Sequence, residues 1–301
     1  MRIWVTGAHG FIGRHVVAQA VVAGHDVWAI TRAGVSRPDD VPPGVHRLVL
    51  DLADGQEVAS QVKSLAPEVI IHLAWYARPQ DYLTSLDNVD SLSTTLSFAK
   101  AALLGGCRRM VGVGTCLEYA DAPGPRHEID PLDPKSLYAR CKRAAHLVLG
   151  ELFDRQGATL VWARLFHMHG PGENPARLVP AVIAALRAGR AFPLSPGEQT
   201  RDHLDVRDVA AALVHLAGSD VKGGVNVCSG RPVTLRAVLE IVGRELGRPE
   251  LLLFGERPYL AGEVMNLTGV PARLSASGFE PAHADLALSI RETIAATGTN
   301  I

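Results

Sequence analysis

The sequence predicts an α/β fold, a doubly wound parallel sheet followed by a smaller C-terminal α/β lobe. Three features carry that expectation. Short β-branched runs alternate with longer amphipathic stretches through the first half of the chain, the pattern of a parallel sheet whose crossovers are helices. Several of those runs are apolar throughout instead of alternating, as expected of strands covered by helices on both faces. The 301 residues, with 47% hydrophobic and 20% charged, suffice for one large domain or for one with a smaller lobe.

Taken in order, "RIWVT" (2–6), "DVWAIT" (26–31), "HRLVL" (46–50), "EVIIHL" (68–73), "RMVGVG" (109–114) and "TLVWAR" (159–164) read as strands. Helical spacing runs from Phe11 to Ala23 and stops at Gly24. After "HGPGENP" (169–175) proline and glycine become frequent. A helix over Ala176–Ala188, a strand at "RDHLDV" (201–206) and a helix over Arg207–Ala217 follow. Residues 1–170 are therefore expected to form the sheet domain, with 201–217 returning to it, and residues 171–301 mainly the second lobe. Short crossings between the lobes would leave a cleft.

Composition excludes several roles. A formal net charge of -1 gives no general attraction to nucleic acid or to anionic membrane, so any anion recognition must be local. Cys107, Cys116, Cys141 and Cys228 show no CxxC or His/Cys ligand spacing; free thiols are expected, with no structural zinc. The chain enters a strand at once, and no apolar run reaches the ~18 residues that span a bilayer. A cytoplasmic protein without a membrane partner is the expectation.

The first strand–helix junction, "TGAHGFIG", spaces Gly7, Gly10 and Gly13 three residues apart. Glycines let backbone approach a pyrophosphate, and the helix N-terminus adds unpaired N–H groups and partial positive charge. The spacing is GxxGxxG instead of the commoner GxGxxG, and no GK[ST] follows, so a dinucleotide is expected and a P-loop is not. At the end of the second strand an NAD site usually carries an acidic residue for the ribose hydroxyls. Here Thr31 and Arg32 stand there. A guanidinium matches phosphate geometry, so NADP(H) is favoured over NAD(H).

Tyr138 and Lys142 in "SLYARCK" lie four apart, which puts both on one helix face. A free phenol, with a pKa of about 10, exchanges protons poorly at neutral pH. A nearby ammonium would lower that value and let the pair exchange a proton with a substrate oxygen. Thr115, just beyond a strand, falls at the carboxyl edge of the sheet, where its hydroxyl can bond the same oxygen. Two histidines alternate at His167 and His169 without an evident third ligand, so no metal is expected.

With these residues in view, the chain resembles the extended short-chain dehydrogenase/reductase family of nucleotide-sugar epimerases, dehydratases and ketoreductases. The likeness rests on "TGAHGFIG", "DLAD" (51–54), "IIHLAW" (70–75), Asn88, Thr115, "YARCK", "RLFHMHGPG" (164–172) and "RDHLDVRDVA" (201–210). It implies a Rossmann-like fold and cofactor contacts at Gly7, Gly10, Phe11, Ile12 and Gly13. It further implies Asp51 and Leu52 around the adenine, Leu73 and Ala74 along the cofactor, and Tyr138 and Lys142 near the nicotinamide ribose. The C-terminal part, from 167 on, would supply most of a site for a nucleotide-diphosphate sugar. His167, Arg201 and Arg257 are candidate substrate ligands beside Thr115, because guanidinium forks suit phosphate oxygens. Relatives often pair helices, which implies a homodimer.

Two departures bear on the reaction. Related 4,6-dehydratases follow the catalytic Thr directly with Asp and Glu, whereas here Cys116 and Leu117 follow and Glu118 is displaced by one residue. His167 stands where the family usually has asparagine. Asp208 is expected to cap or orient local backbone. The expected activity is NADPH-dependent reduction of a keto group, at C4, on a nucleotide-linked 6-deoxysugar. An epimerase with tightly held NAD, a reductase of simple carbonyls and a non-catalytic dinucleotide sensor are the alternatives.

Overall fold

The computed structural model describes residues 1–33, 42–260 and 262–297. Strand β1 (Arg2–Thr6) runs through the glycine turn into α1 (Phe11–Val22), and β2 (Asp26–Thr31), β3 (His46–Val49) and α2 (Gly55–Leu65) follow. Next come β4 (Val69–His72), α3 (Asp87–Gly105), β5 (Arg109–Thr115), α4 (Leu137–Arg155) and β6 (Thr159–Leu165). The six strands read from the sequence are present, with ends shifted by a residue at most. Helix starts follow capping chemistry: Asp54 accepts from the Gln56 and Glu57 amides and Ser136 from Ala139.

Beyond β6 lie β7 (His167–His169), α5 (Leu178–Arg187), β8 (Phe192–Leu194), β9 (Thr200–Asp205), α6 (Val206–Gly218) and β10 (Gly223–Val227). The chain continues with β11 (Pro232–Thr234), α7 (Leu235–Glu245), β12 (Leu252–Phe254), β13 (Asn266–Leu267), α8 (Ala272–Ala276) and α9 (Leu286–Thr297). The main sheet is seven-stranded in the order β10-β6-β5-β4-β1-β2-β3, with every pairing parallel. Strand order reverses at β1, whose neighbours are β2 and β4, and a crevice opens at the carboxyl ends there. Ile3 and Val5 of β1 face one layer with Val16, Val17 and Leu213. Trp4, between them, faces the other layer with Phe98, Met110 and Leu149. This two-faced burial explains why the strands lack polar alternation.

The strand at 201–206 requires a correction. As β9 it pairs with β7, β11 and β13 in a second, four-stranded sheet, not with the main sheet. The place beside β6 is taken by β10, a "GGVNV" segment whose paired glycines hide its strand character from a sequence reading. Helix α6, in contrast, lies on the main sheet beside α1. A separate apolar core in the C-terminal lobe joins α5, α7 and α9 through Val182, Ile183, Val238, Leu239 and Ile290. All four cysteines are free and buried. Among the described residues no helix is long and apolar enough to cross a membrane.

Candidate active site

The carboxyl edge of the main sheet gathers the candidate residues. Gly7 leaves β1 with φ +67°, and a Cβ there would come within 3.0 Å of the Leu73 and Ala74 backbone after β4. A Cβ on Gly13 would lie 2.1 Å from the Gly7 carbonyl oxygen, so only glycine lets α1 pack this closely on the turn. Gly10 is the N-cap of α1 and offers no capping side chain, with no acidic residue in the first turn. The leading N–H groups therefore lack an internal anion, and Phe11 and Ile12 occupy that first turn. The arrangement suits a dinucleotide pyrophosphate: a close backbone cradle that any side chain would fill, facing a helix N-terminus.

Thr6 ties this turn to β4. Its hydroxyl accepts from the Leu73 and Ala74 amides at 3.1 and 3.2 Å, so its own hydrogen goes to His72 Nδ1 at 2.9 Å. The His72 Nε2–H is then left to donate to Thr95 at 2.9 Å. Burial, assisted by the Lys142 charge, pushes His72 down to about 3, and the ring is neutral. At neighbouring strand ends, Arg32 is exposed after β2 and Thr31 is half-buried. After β3, Asp51 accepts from Ala53 N–H at 2.9 Å, and Leu52 packs on the apolar layer below.

Thr115 closes β5 and caps a single 3-10 turn, Cys116–Glu118, in a reciprocal capping box. Glu118 is fully buried. It accepts from Thr115 N–H at 3.0 Å, Trp162 Nε1 at 2.9 Å and Arg164 Nε at 3.1 Å. Its carboxylate is thus consumed by structure, and the water-elimination acid–base pair of a dehydratase has no counterpart at 116–118. The Thr115 hydroxyl lies near enough to the Tyr138 phenol to favour its ionised form. Tyr138 rests edge-on against Tyr82, ring centroids 5.1 Å apart, and its backbone N–H donates to the Leu83 carbonyl at 3.2 Å.

The electrostatics differ from the sequence-based expectation. Burial raises the Tyr138 phenol above its ordinary value, and Thr115 only partly opposes that. Lys142 Nζ stands 5.9 Å from the centroid of the Tyr138 ring. It donates to the Val113 carbonyl at 2.8 Å and sits 3.8 Å from the centroid of Trp75. Burial pushes Lys142 itself down to about 7, with Glu118 acting in the opposite sense.

In the second sheet, His167 and His203 occupy facing register positions of β7 and β9. Burial, then the charges of Arg201 and Arg177, pushes His167 down to about 3, so His167 and Arg201 share one neighbourhood. Arg201 is not free, since it donates to Glu263 at 2.8 Å and to the Thr200 carbonyl at 3.1 Å. Arg257 is exposed and follows β12, with its amide on the Leu194 carbonyl at 3.0 Å. Among the described residues no side-chain contact joins it to His167 or Arg201. His203 brings a third ring, with centroids 5.7 Å from His167 and 6.1 Å from His169. Among the described residues no three such side chains are placed to hold a metal ion.

Asp208 does not orient local backbone. It accepts from Ala282 and His283 N–H at 2.9 and 2.8 Å, pinning a distant loop, while Asp205 caps α6. Sequence reading also missed Trp75 as a site residue, Tyr82, and Arg177, whose guanidinium lies 4.8 Å from the Tyr82 centroid. Only Trp75 carried a signal, as the bulky residue directly after "IIHLA" at a strand end.

Comparison with known proteins agrees with this geometry. The model of the NAD dependent epimerase/dehydratase family matches residues 3–228. The chain is 28% identical over 250 residues to dTDP-6-deoxy-L-talose 4-dehydrogenase (NAD(+)) of Aggregatibacter actinomycetemcomitans, covering 80% of this chain and 88% of that protein. It is 28% identical over 295 residues to GDP-6-deoxy-D-mannose reductase of Pseudomonas aeruginosa, covering 93% and 92%. The solved UDP-glucose 4-epimerase of Thermus thermophilus with NAD superposes with a TM-score of 0.86 at 25% identity, covering 100% of both chains.

Proposed function

The chain belongs to the NAD dependent epimerase/dehydratase family, and on that premise we propose that it reduces a keto group, at C4, of a nucleotide-linked 6-deoxysugar with NADPH. The observation that carries net reduction is Arg32, exposed at the end of β2 where a ribose-binding carboxylate would favour NAD. An epimerase recycles a held NAD, whereas a reductase consumes a reduced cofactor that must exchange. Relatives named as a deoxysugar 4-dehydrogenase and a deoxysugar reductase support the substrate class.

Gly7, Gly10 and Gly13 would hold the pyrophosphate, Thr31 and Arg32 the 2′-phosphate end, Asp51 and Leu52 the adenine, and Leu73 and Ala74 the span between. The reduced dinucleotide, when bound, supplies hydride. The Tyr138 phenol gives its proton to the substrate oxygen, and the Thr115 hydroxyl orients that oxygen through a hydrogen bond. The Lys142 ammonium favours the phenolate left on Tyr138. His167 and Arg201 would face the substrate diphosphate, with Arg201 exchanging Glu263 for phosphate; Arg257 would have to reach in from the surface.

The test is a titration of NADPH and NADH by fluorescence, combined with mass spectrometry of products from a panel of nucleotide-linked 4-ketosugars. Tighter NADPH binding and one reduced sugar per NADPH consumed are expected, and Arg32→Asp should weaken or reverse the preference. Interconversion of epimers without net cofactor consumption would replace this reading with an epimerase.

A further inference from the structure

Lys142 is only 5% exposed, yet its three ammonium donors meet a single backbone carbonyl, that of Val113 at 2.8 Å. Among the described residues no carboxylate lies within ion-pair distance of it. The other partner is the face of Trp75, 3.8 Å from Nζ to the ring centroid. Trp75 is itself held in plane, because its indole N–H donates to Asn88 Oδ1 at 2.9 Å. The Asn88 amide group uses its remaining hydrogens on the Tyr82 and Ser85 carbonyls at 2.7 and 2.9 Å. Tyr82 in turn packs edge-on against Tyr138. One asparagine of α3 therefore fixes both the surface beneath the lysine and the ring beside the tyrosine.

We infer that Trp75 is a positioning residue, whose indole face keeps the Lys142 ammonium charged and aimed beside Tyr138. The inference rests on the roles proposed above for Tyr138 and Lys142. A cation over an aromatic face gains most where water is excluded, and tryptophan is the best of the rings. The other groups facing Lys142 do not replace it. Glu118, from the turn after β5, favours the ammonium but is engaged by Trp162 and Arg164. His72, from β4, is neutral, and Tyr138, on α4 itself, has its ring centroid 5.9 Å away. Asn88, from α3, carries no charge.

The test uses the full chain with Trp75→Leu, Trp75→Phe and Trp75→Met. The Lys142 side chain is followed by the 13Cε shift as pH is varied, its signal identified by loss in Lys142→Arg. Removing the face takes support from the charged form, so the Leu variant should move the midpoint down by about one pH unit. The Phe variant should retain most of the wild-type value. The alkaline limb of kcat should move with the lysine midpoint in each variant. Should the Leu variant fail to fold, Trp75→Met fills the space without a ring and carries the same expectation. A midpoint unchanged in the Leu or Met variant, with melting behaviour preserved, would overturn the inference. The titration needs no substrate, so its failure is separate from that of the reductase reading, which interconversion of epimers without net NADPH consumption would overturn instead.

Discussion

Tyr138 and Lys142 are one helical turn apart on α4, and burial moves both toward their neutral forms. A neutral phenol is the state that can donate a proton to a carbonyl oxygen, so the raised Tyr138 suits reduction better than a standing phenolate would. The lysine need not create that phenolate in advance; it has to favour the negative charge as the proton leaves. Tyr138→Phe keeps the ring against Tyr82 but removes the donor. Turnover should fall by roughly two to four orders of magnitude, the usual range for a positioned proton donor, while NADPH affinity stays near wild type. Single-turnover rates and a fluorescence titration check the two halves. Retention of most activity would mean that another group supplies the proton.

At the scale of elements, β1 to β6 were legible because burial on both faces forces apolar, β-branched runs. The pairing of 200–205 was not, since it depends on which strand fills the edge beside β6, and β10 does so with a glycine-led segment that has no pattern to read. The site divides in the same way. Thr115, Tyr138 and Lys142 follow from spacing and strand ends, whereas Tyr82 lies in a loop without periodicity. The pairing of Arg201 with Glu263 joins residues 62 apart in sequence, and no local pattern reports it. The first junction was legible for a steric reason that can be tested. In Gly13→Ala the new methyl would sit 2.1 Å from the Gly7 oxygen and 2.8 Å from Ala8 Cα, both backbone atoms that cannot turn aside. Helix α1 must back away, at a cost of about 1–3 kcal/mol. Melting temperature should drop and cofactor affinity fall by tenfold or more. Unchanged cofactor affinity would show that the turn tolerates a wider helix–strand spacing.

For the molecule as a whole, the buried histidines set its response to acid. Burial, with help from neighbouring cations at some of them, pushes His72, His146 and His167 down to about 3 and His169 to about 4. Unfolded, all four would titrate near 6.5. Below that pH the unfolded chain binds protons that the folded chain refuses, so stability must fall as pH drops from about 6.5 toward 4. Each such proton contributes a slope of about 1.4 kcal/mol per pH unit. Two carboxyls oppose this trend: burial pushes Glu173 up to about 7 and Asp202 above its ordinary value, so the folded state takes up protons there as pH falls. His203, His15 and His25 are lowered as well, so the histidines outnumber the two carboxyls and acidification is a net loss. Asp205, held at about 2 mainly by Arg207 and Ser289 against the effect of burial, adds its own loss only as pH falls below 3.8. Urea melts at pH 7.5, 6 and 5 should therefore show falling stability above the pH at which ordinary carboxylates titrate. His146 stacks on Trp162 with ring centroids 5.2 Å apart and planes 4° from parallel, so His146→Phe keeps the stack and removes one titrating ring. That variant should lower the slope between pH 6 and 5 by close to one proton. Equal slopes for the two proteins, or a flat profile for the wild type, would show that these rings are charged in the folded state and paired there with groups other than those described.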